Sequence, residues 1–182
     1  MILALVDRRR EPVPDATAAL CAPWALLAEL AALLGPPDWR VDLVLVDDGA
    51  MTELNRGYRD ADGPTDVLSF SSLLDGSPDG RAAGIRAGER GARHDLWLDP
   101  QEAGAGPDPL AGEVVLAPRF IADRCREQGW APDQEMALLV VHGCLHILGW
   151  EHDEPADRRA MMELETTVLR GCGLPHPLAK GD

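Results

Sequence analysis

The sequence predicts an α+β domain: a central sheet of about four strands packed by helices, with a metal site on one helix and the turn that follows it. Three observations carry this prediction. Short β-branched runs alternate along the chain with longer stretches of helical periodicity. The length of 182 residues and the hydrophobic content of 46% suit one domain, residues 1–182, with a single sizeable core. Three of the five histidines, His142, His146 and His152, stand within one short run near the end of an apolar helical stretch.

Taken in order, residues 2–7 read as a short strand. Residues 15–34 are rich in Ala and Leu and read as helical, with Pro23 kinking or starting the main helix. Arg40 to Val46 is β-branched enough for a second strand. Residues 50–59 look helical, which puts Arg59 at or just past a helix end. Asp66 to Phe70 reads as a third strand, and Glu113 to Leu116 as a fourth. Between them, about 72–110 is rich in Gly, Pro and charge and has no sustained period, so it reads as a long loop insertion, with Leu96-Trp97-Leu98 as a local anchor. Residues 118–128, 132–148 and 154–170 read as helices. The second of these carries Met136 to Val141 into the histidines and is expected to be buried.

On a helix, positions i and i+4 lie on one face, so His142 and His146 can aim two imidazoles at one point. Gly149 follows, and glycine lets a helix end in a left-handed turn that would return His152 to the same point. Three imidazoles without a fourth protein ligand in the run describe an open metal site for one ion, Zn²⁺ first, although such a set also suits Ni, Co or Cu. Cys144 lies two residues from each of the first two histidines and therefore points away, as a small buried residue. Glu151 and Asp153 flank His152, either orienting ligand imidazoles or simply solvated.

The same His-x3-His-x2-Gly-x2-His spacing serves the metzincin proteases, which place a general-base Glu directly after the first histidine. Here that position is Gly143. Loss of a general base costs typically ~10²–10⁴-fold, so the spacing fits a hydrolase while the missing carboxylate argues against peptide hydrolysis.

The net charge of −14 opposes a broad nucleic-acid footprint. Local charge differs: between positions 81 and 93, Arg81, Arg86, Arg90 and Arg93 face only Glu89. Cys21, Cys125, Cys144 and Cys172 form no CxxC pair, which fits reduced thiols. The apolar start, Met1 to Val6, is too short for a signal peptide, and Arg8-Arg9-Arg10 follows it rather than precedes it, so a cytoplasmic location is expected.

The run His142-Gly-Cys-Leu-His146-Ile-Leu-Gly-Trp-Glu-His152 resembles the HGxLHLxGYDH signature of the YbeY family of bacterial endoribonucleases, also called rRNA maturation factors. Leu54-Asn55-Arg56-Gly57-Tyr58-Arg59 followed by Thr65-Asp66-Val67-Leu68-Ser69-Phe70 resembles that family's LN-x-x-YR…T(D/N)VLSF block. Gly112 to Leu116 is similar to its GDI-type strand, and Met162-Glu163-Leu164-Glu165 to its M-x-x-LE pattern. Trp150 and Glu151 replace the usual Tyr and Asp, Ser71 stands where Pro is usual, and the 72–110 connection is longer than the family's.

The resemblance implies a zinc-dependent, single-strand-acting endoribonuclease working in 16S rRNA 3′-end maturation and ribosome quality control. It implies His142, His146 and His152 as zinc ligands and Arg59 as a functional basic residue, with rRNA precursor and the small ribosomal subunit as partners. Asp66 and Ser69 either line the cleft or shape the strand end. His94 is not expected to be a ligand. His176, between Pro175 and Pro177, is a remote candidate for a fourth ligand. A fourth ligand would favour a rival reading, a non-catalytic RNA-binding or ribosome-assembly factor with structural zinc. A metalloprotease is the third reading.

Overall fold

A computed structural model describes residues 2–10, 34, 40–72 and 110–178. Its elements are β1 (Ile2–Asp7), β2 (Arg40–Leu45), α1 (Asp48–Arg59), β3 (Val67–Ser71), β4 (Leu110–Leu116), α2 (Pro118–Gln128), α3 (Pro132–Ile147) and α4 (Pro155–Gly171). The helix expected over 15–34 and the loop expected over 72–110 fall outside the described residues, except Leu34, which is helical, and the flanking Ser72 and Leu110.

The four strands form one sheet in the order β1-β2-β4-β3. β1 runs parallel to β2 and β2 parallel to β4, while β3 is antiparallel to β4. With helices packed around this mixed sheet, the α+β prediction holds. Alternate residues of β2 and β4 face opposite sides, as the two-residue period of a strand requires. Val41, Leu43, Leu45, Val114 and Leu116 face the larger core, shared with α2, α3 and α4. Val44, Val46 and Val115 face a smaller core with Met51 and Leu54 of α1.

Helix ends differ from expectation for local reasons. α1 begins at Asp48 because the Asp47 side chain accepts from the Ala50 N–H at 2.9 Å and caps it. It stops at Arg59 because Asp60 turns left-handed, at φ 51°. Buried Asn55 then ties the following turn down by donating to the Gly63 carbonyl at 2.9 Å. β4 begins three residues earlier than the sequence suggests. Leu110, Ala111 and Gly112 carry no β-branch, but pairing with β2 and β3 on either side outweighs their propensity.

α3 is the helix that positions the site. Pro132 starts it, and Asp133 and Glu135 in its first turn complement the helix dipole. Met136 to Val141, Gly143 to Leu145 and Ile147 are all buried, as expected of a helix that is apolar nearly all round. Its C-terminal half lies hard against the sheet. The Ser71 hydroxyl donates to the Ile147 carbonyl at 3.0 Å. A Cβ on Gly143 would stand 2.7 Å from Val114 Cγ1 and 2.9 Å from Ser69 Oγ, so only glycine permits this approach. No helix among the described residues is long and apolar enough to cross a membrane.

Candidate metal centre

His142 and His146 occupy successive turns at the C-terminal end of α3. Beyond them, Gly149 takes φ 89°. The Gly149 N–H donates to the His146 carbonyl and the Trp150 N–H to the Leu145 carbonyl, each at 3.0 Å, which closes the helix in a Schellman turn. The chain reverses there and brings His152 back over the helix end. Arg158 of α4 holds the returning backbone by donating to the His152 carbonyl at 3.3 and 3.4 Å. The ring centroids of 142 and 146, 142 and 152, and 146 and 152 are 4.5, 5.3 and 5.0 Å apart. One ligand nitrogen from each ring lies within 4.8 Å of the others. The structure thus brings together the three side chains singled out by their spacing.

The hydrogen bonds on the far side of two rings explain why these nitrogens suit a cation. The His146 Nδ1 lies 2.8 Å from the Trp150 carbonyl, which can only accept, so Nδ1 carries the proton. The His142 Nδ1 lies 2.7 Å from Glu165 Oε1. Burial alone would raise the Glu165 pKa, but the bonds from His142 and His176 outweigh it and hold the carboxyl below its usual range. Glu165 is therefore an ionised acceptor, and His142 Nδ1 donates to it. Both Nε2 atoms are left with bare lone pairs, and these stand 3.1 Å apart. Two such lone pairs repel unless a cation lies between them. Zinc–nitrogen bonds of ~2.0–2.1 Å in a tetrahedral site separate neighbouring nitrogens by roughly 3.3 Å, so the donor set fits that ion.

Electrostatics favour the neutral form a ligand needs. Burial lowers the His146 pKa to about 4, helped by His142, His152 and Arg59 and opposed by the Trp150 carbonyl. The contribution of Arg59 shows that its guanidinium stands within electrostatic reach of the cluster. Arg59 is exposed on the last turn of α1, and no hydrogen bond or ion pair to it is made among the described residues.

Other candidates fall elsewhere. Cys144 is buried, and burial pushes its thiol up to about 12, as suits an inert core residue rather than a ligand. Asp66 shapes the start of β3: its carboxylate accepts from the Thr65 hydroxyl and the Val67 N–H and pairs with Arg124. Ser69 packs beside Gly143. His94 lies outside the described residues.

His176 is not a fourth ligand, because its Nε2 is 3.1 Å from Glu165 Oε2 and its Nδ1 accepts from the Leu178 N–H. The carboxylate found on a ligand ring is Glu165 of α4; for Glu151 and Asp153 the sequence left both a role on a ligand ring and simple solvation open. Those two line an open acidic cleft with Glu154 and Asp157 beside the helix end. Glu165 stood in a recognisable family segment, but nothing local to it announced a bond 23 residues away.

The position after the first histidine settles one chemical question. Gly143 faces Val114 and Ser69 at distances that no Cβ tolerates. A glutamate base in the metzincin manner has no room there.

The family model described as Endoribonuclease YbeY matches residues 11–173. An endoribonuclease YbeY of Moorella thermoacetica is 37% identical over 134 residues, 74% of this chain and 73% of the relative. Namesakes from Saccharopolyspora erythraea and Nocardia farcinica are 36% and 35% identical over 71% and 73% of this chain. Those matches span 60% and 61% of the relatives' own length. The solution structure of TM1509 from Thermotoga maritima superimposes with a TM-score of 0.54 at 21% identity, covering 93% of this chain and 89% of that one, which supports the fold. The family match and these relatives together show that the chain belongs to the endoribonuclease YbeY family.

Proposed function

We propose that this protein is a zinc-dependent endoribonuclease, specific for single strands, acting in 16S rRNA 3′-end maturation and ribosome quality control in the cytoplasm. Its substrate is precursor rRNA, met on or near the small ribosomal subunit. His142, His146 and His152 hold one Zn²⁺ ion through their ring nitrogens, and Arg59 is the catalytic cation. The observation that carries this reading is the pair of bare Nε2 atoms 3.1 Å apart, aimed at one point with His152 beside them.

When bound, zinc lowers the pKa of water to about 7 and polarises a phosphoryl oxygen. The chain's own residues do the rest. Glu165 and the Trp150 carbonyl fix the His142 and His146 rings and their tautomers. Arg59, lacking any partner among the described residues and near His146, binds the scissile phosphate and offsets the negative charge that grows on it. The acidic cleft lined by Glu151, Asp153, Glu154 and Asp157 repels a polyanion, which favours RNA entry from the Arg59 side.

The rival readings fit less well. Structural zinc calls for four protein ligands, and among the described residues only three gather here. Peptide hydrolysis calls for a base that Gly143 excludes. Arg59→Ala tests the assignment: RNA cleavage should fall by about 10²–10³-fold at unchanged zinc content, the usual cost of removing one transition-state charge partner. Cleavage at the wild-type rate would remove Arg59 from the mechanism. Spectra of the cobalt-substituted protein that indicated four protein ligands would favour the assembly factor.

A further inference from the structure

Glu165 is a two-handed carboxylate. Oε1 accepts from His142 Nδ1 at 2.7 Å, and Oε2 lies 3.1 Å from His176 Nε2. The direction of the second bond is fixed. The Leu178 N–H donates to His176 Nδ1 at 3.1 Å, so Nδ1 is bare and the ring proton sits on Nε2, pointing at Glu165. His176 and Glu165 are both only 6% exposed, so water does not compete for this contact. A second carboxylate, Glu135 of α3, is 1% exposed and within electrostatic reach of His176; its Oε1 accepts from Arg124 at 3.1 Å. The chain around His176 is held in turn. After α4, the Gly173 N–H donates to Arg170 and the Leu174 N–H to Leu169, each at 2.9 Å, which turns the tail back onto the helix.

We infer that His176 is a positioning residue for the metal centre: from the C-terminal tail it fixes the Glu165 carboxylate, which in turn aims the His142 ring at the ion. The inference rests on the metal reading above. The family match ends at residue 173, so it assigns nothing to His176. The physical reason is geometric. A carboxylate anchored by one oxygen can swing about its terminal torsion, which is a soft twofold rotor. A donor on each oxygen removes that freedom and locks the His142 ring with it. Packing alone would not require a polar residue here. The buried imidazole satisfies Glu165 Oε2, which would otherwise be a buried, unpaired carboxylate oxygen.

The test uses the full chain with two substitutions that divide the imidazole. In His176→Gln, the amide N–H reaches where Nε2 was and can still hold Glu165. In His176→Asn, the shorter amide can still accept from Leu178 but cannot reach Glu165. Zinc affinity is measured by chelator competition, and the His142 Nδ1 proton is followed by NMR in the metal-free protein. His176→Asn should bind zinc about tenfold more weakly, at the low end of what outer partners of ligands contribute, with that proton signal broadened or lost. His176→Gln should restore both. Equal zinc affinity and an unchanged proton signal in all three proteins would overturn the inference. So would equal losses in both variants that track their thermal stability, because that marks general packing. A wild type that takes up no zinc would refute the metal reading instead, and the proton signal would still decide the role of His176.

Discussion

Glu165 of α4 and His142 of α3 meet at 2.7 Å through Oε1 and Nδ1. This contact fixes which nitrogen of His142 is left bare, and with it the direction from which a metal can bind. Glu165→Gln keeps the shape but replaces the ionised acceptor with a neutral amide. Zinc affinity should fall by about 10–100-fold while the fold persists, as chelator competition alongside circular dichroism would show. Unchanged affinity would mean that the contact is incidental to the site.

Gly143 is where the apolar geometry and the chemistry coincide. Alanine there gains helix propensity of ~1 kcal/mol, but its Cβ would press to 2.7 Å against Val114, a stiff β-branched residue on β4 between two neighbouring strands. Overpacking of this kind costs typically ~1–3 kcal/mol, so the balance should be a net loss of up to about 2 kcal/mol in urea unfolding. A stabilised Gly143→Ala protein would show that α3 can move off the sheet, and the argument against a base at this position would weaken with it.

The pH dependence of the metal-free protein follows from His146. Its pKa in the folded state is about 4, against 6.5 when unperturbed. Between those values the unfolded chain binds a proton that the folded one refuses, so stability rises with pH across the window and is lost as pH falls from 6.5 toward 4. The loss should reach up to about 3 kcal/mol. Glu165, with its pKa held below 4.5, adds a further loss at lower pH, when its carboxylate is protonated. Urea midpoints of chelator-treated protein at successive pH values would give the curve. In His146→Asn the part above pH 4.5 should flatten; an identical slope in that variant would trace the effect to another group.

The arginines at 81, 86, 90 and 93 are opposed only by Glu89 in that stretch, which makes it a basic segment of a chain that is acidic as a whole. Deleting residues 76–108 should weaken binding to single-stranded RNA and make it less sensitive to salt, since fewer phosphate contacts release fewer counterions. Zinc content should not change. Equal RNA affinity with and without the segment, in a salt titration, would mark it as a passive insertion.

The metal cluster was legible because its information is local. A four-residue spacing on a helix, a glycine at the turn and a third histidine three residues on are enough to define a point in space. The burial of α3 was legible for the same reason, from Met136 to Val141 alone. What the sequence did not reveal depends on tertiary docking. Glu165 and His176 reach the site only because α4 packs beside α3 and the tail folds back. The first three residues of β4 were missed because Leu110, Ala111 and Gly112 have weak strand propensity, and their pairing with β2 and β3 is a long-range effect. The role of Asp66 is set by Arg124, which lies 58 residues on in the chain and pairs with it only in the folded protein.

In the proposed mechanism the three-histidine centre and Arg59 cleave RNA together. Its most direct test is cleavage of a single-stranded RNA spanning a 16S 3′ end by zinc-assayed wild type, His146→Ala and Arg59→Ala prepared side by side. Cleavage by the wild type should be abolished in His146→Ala together with its zinc, and strongly reduced in Arg59→Ala with zinc retained. Equal cleavage by all three proteins, or none by a zinc-loaded wild type even with small ribosomal subunits present, would contradict it.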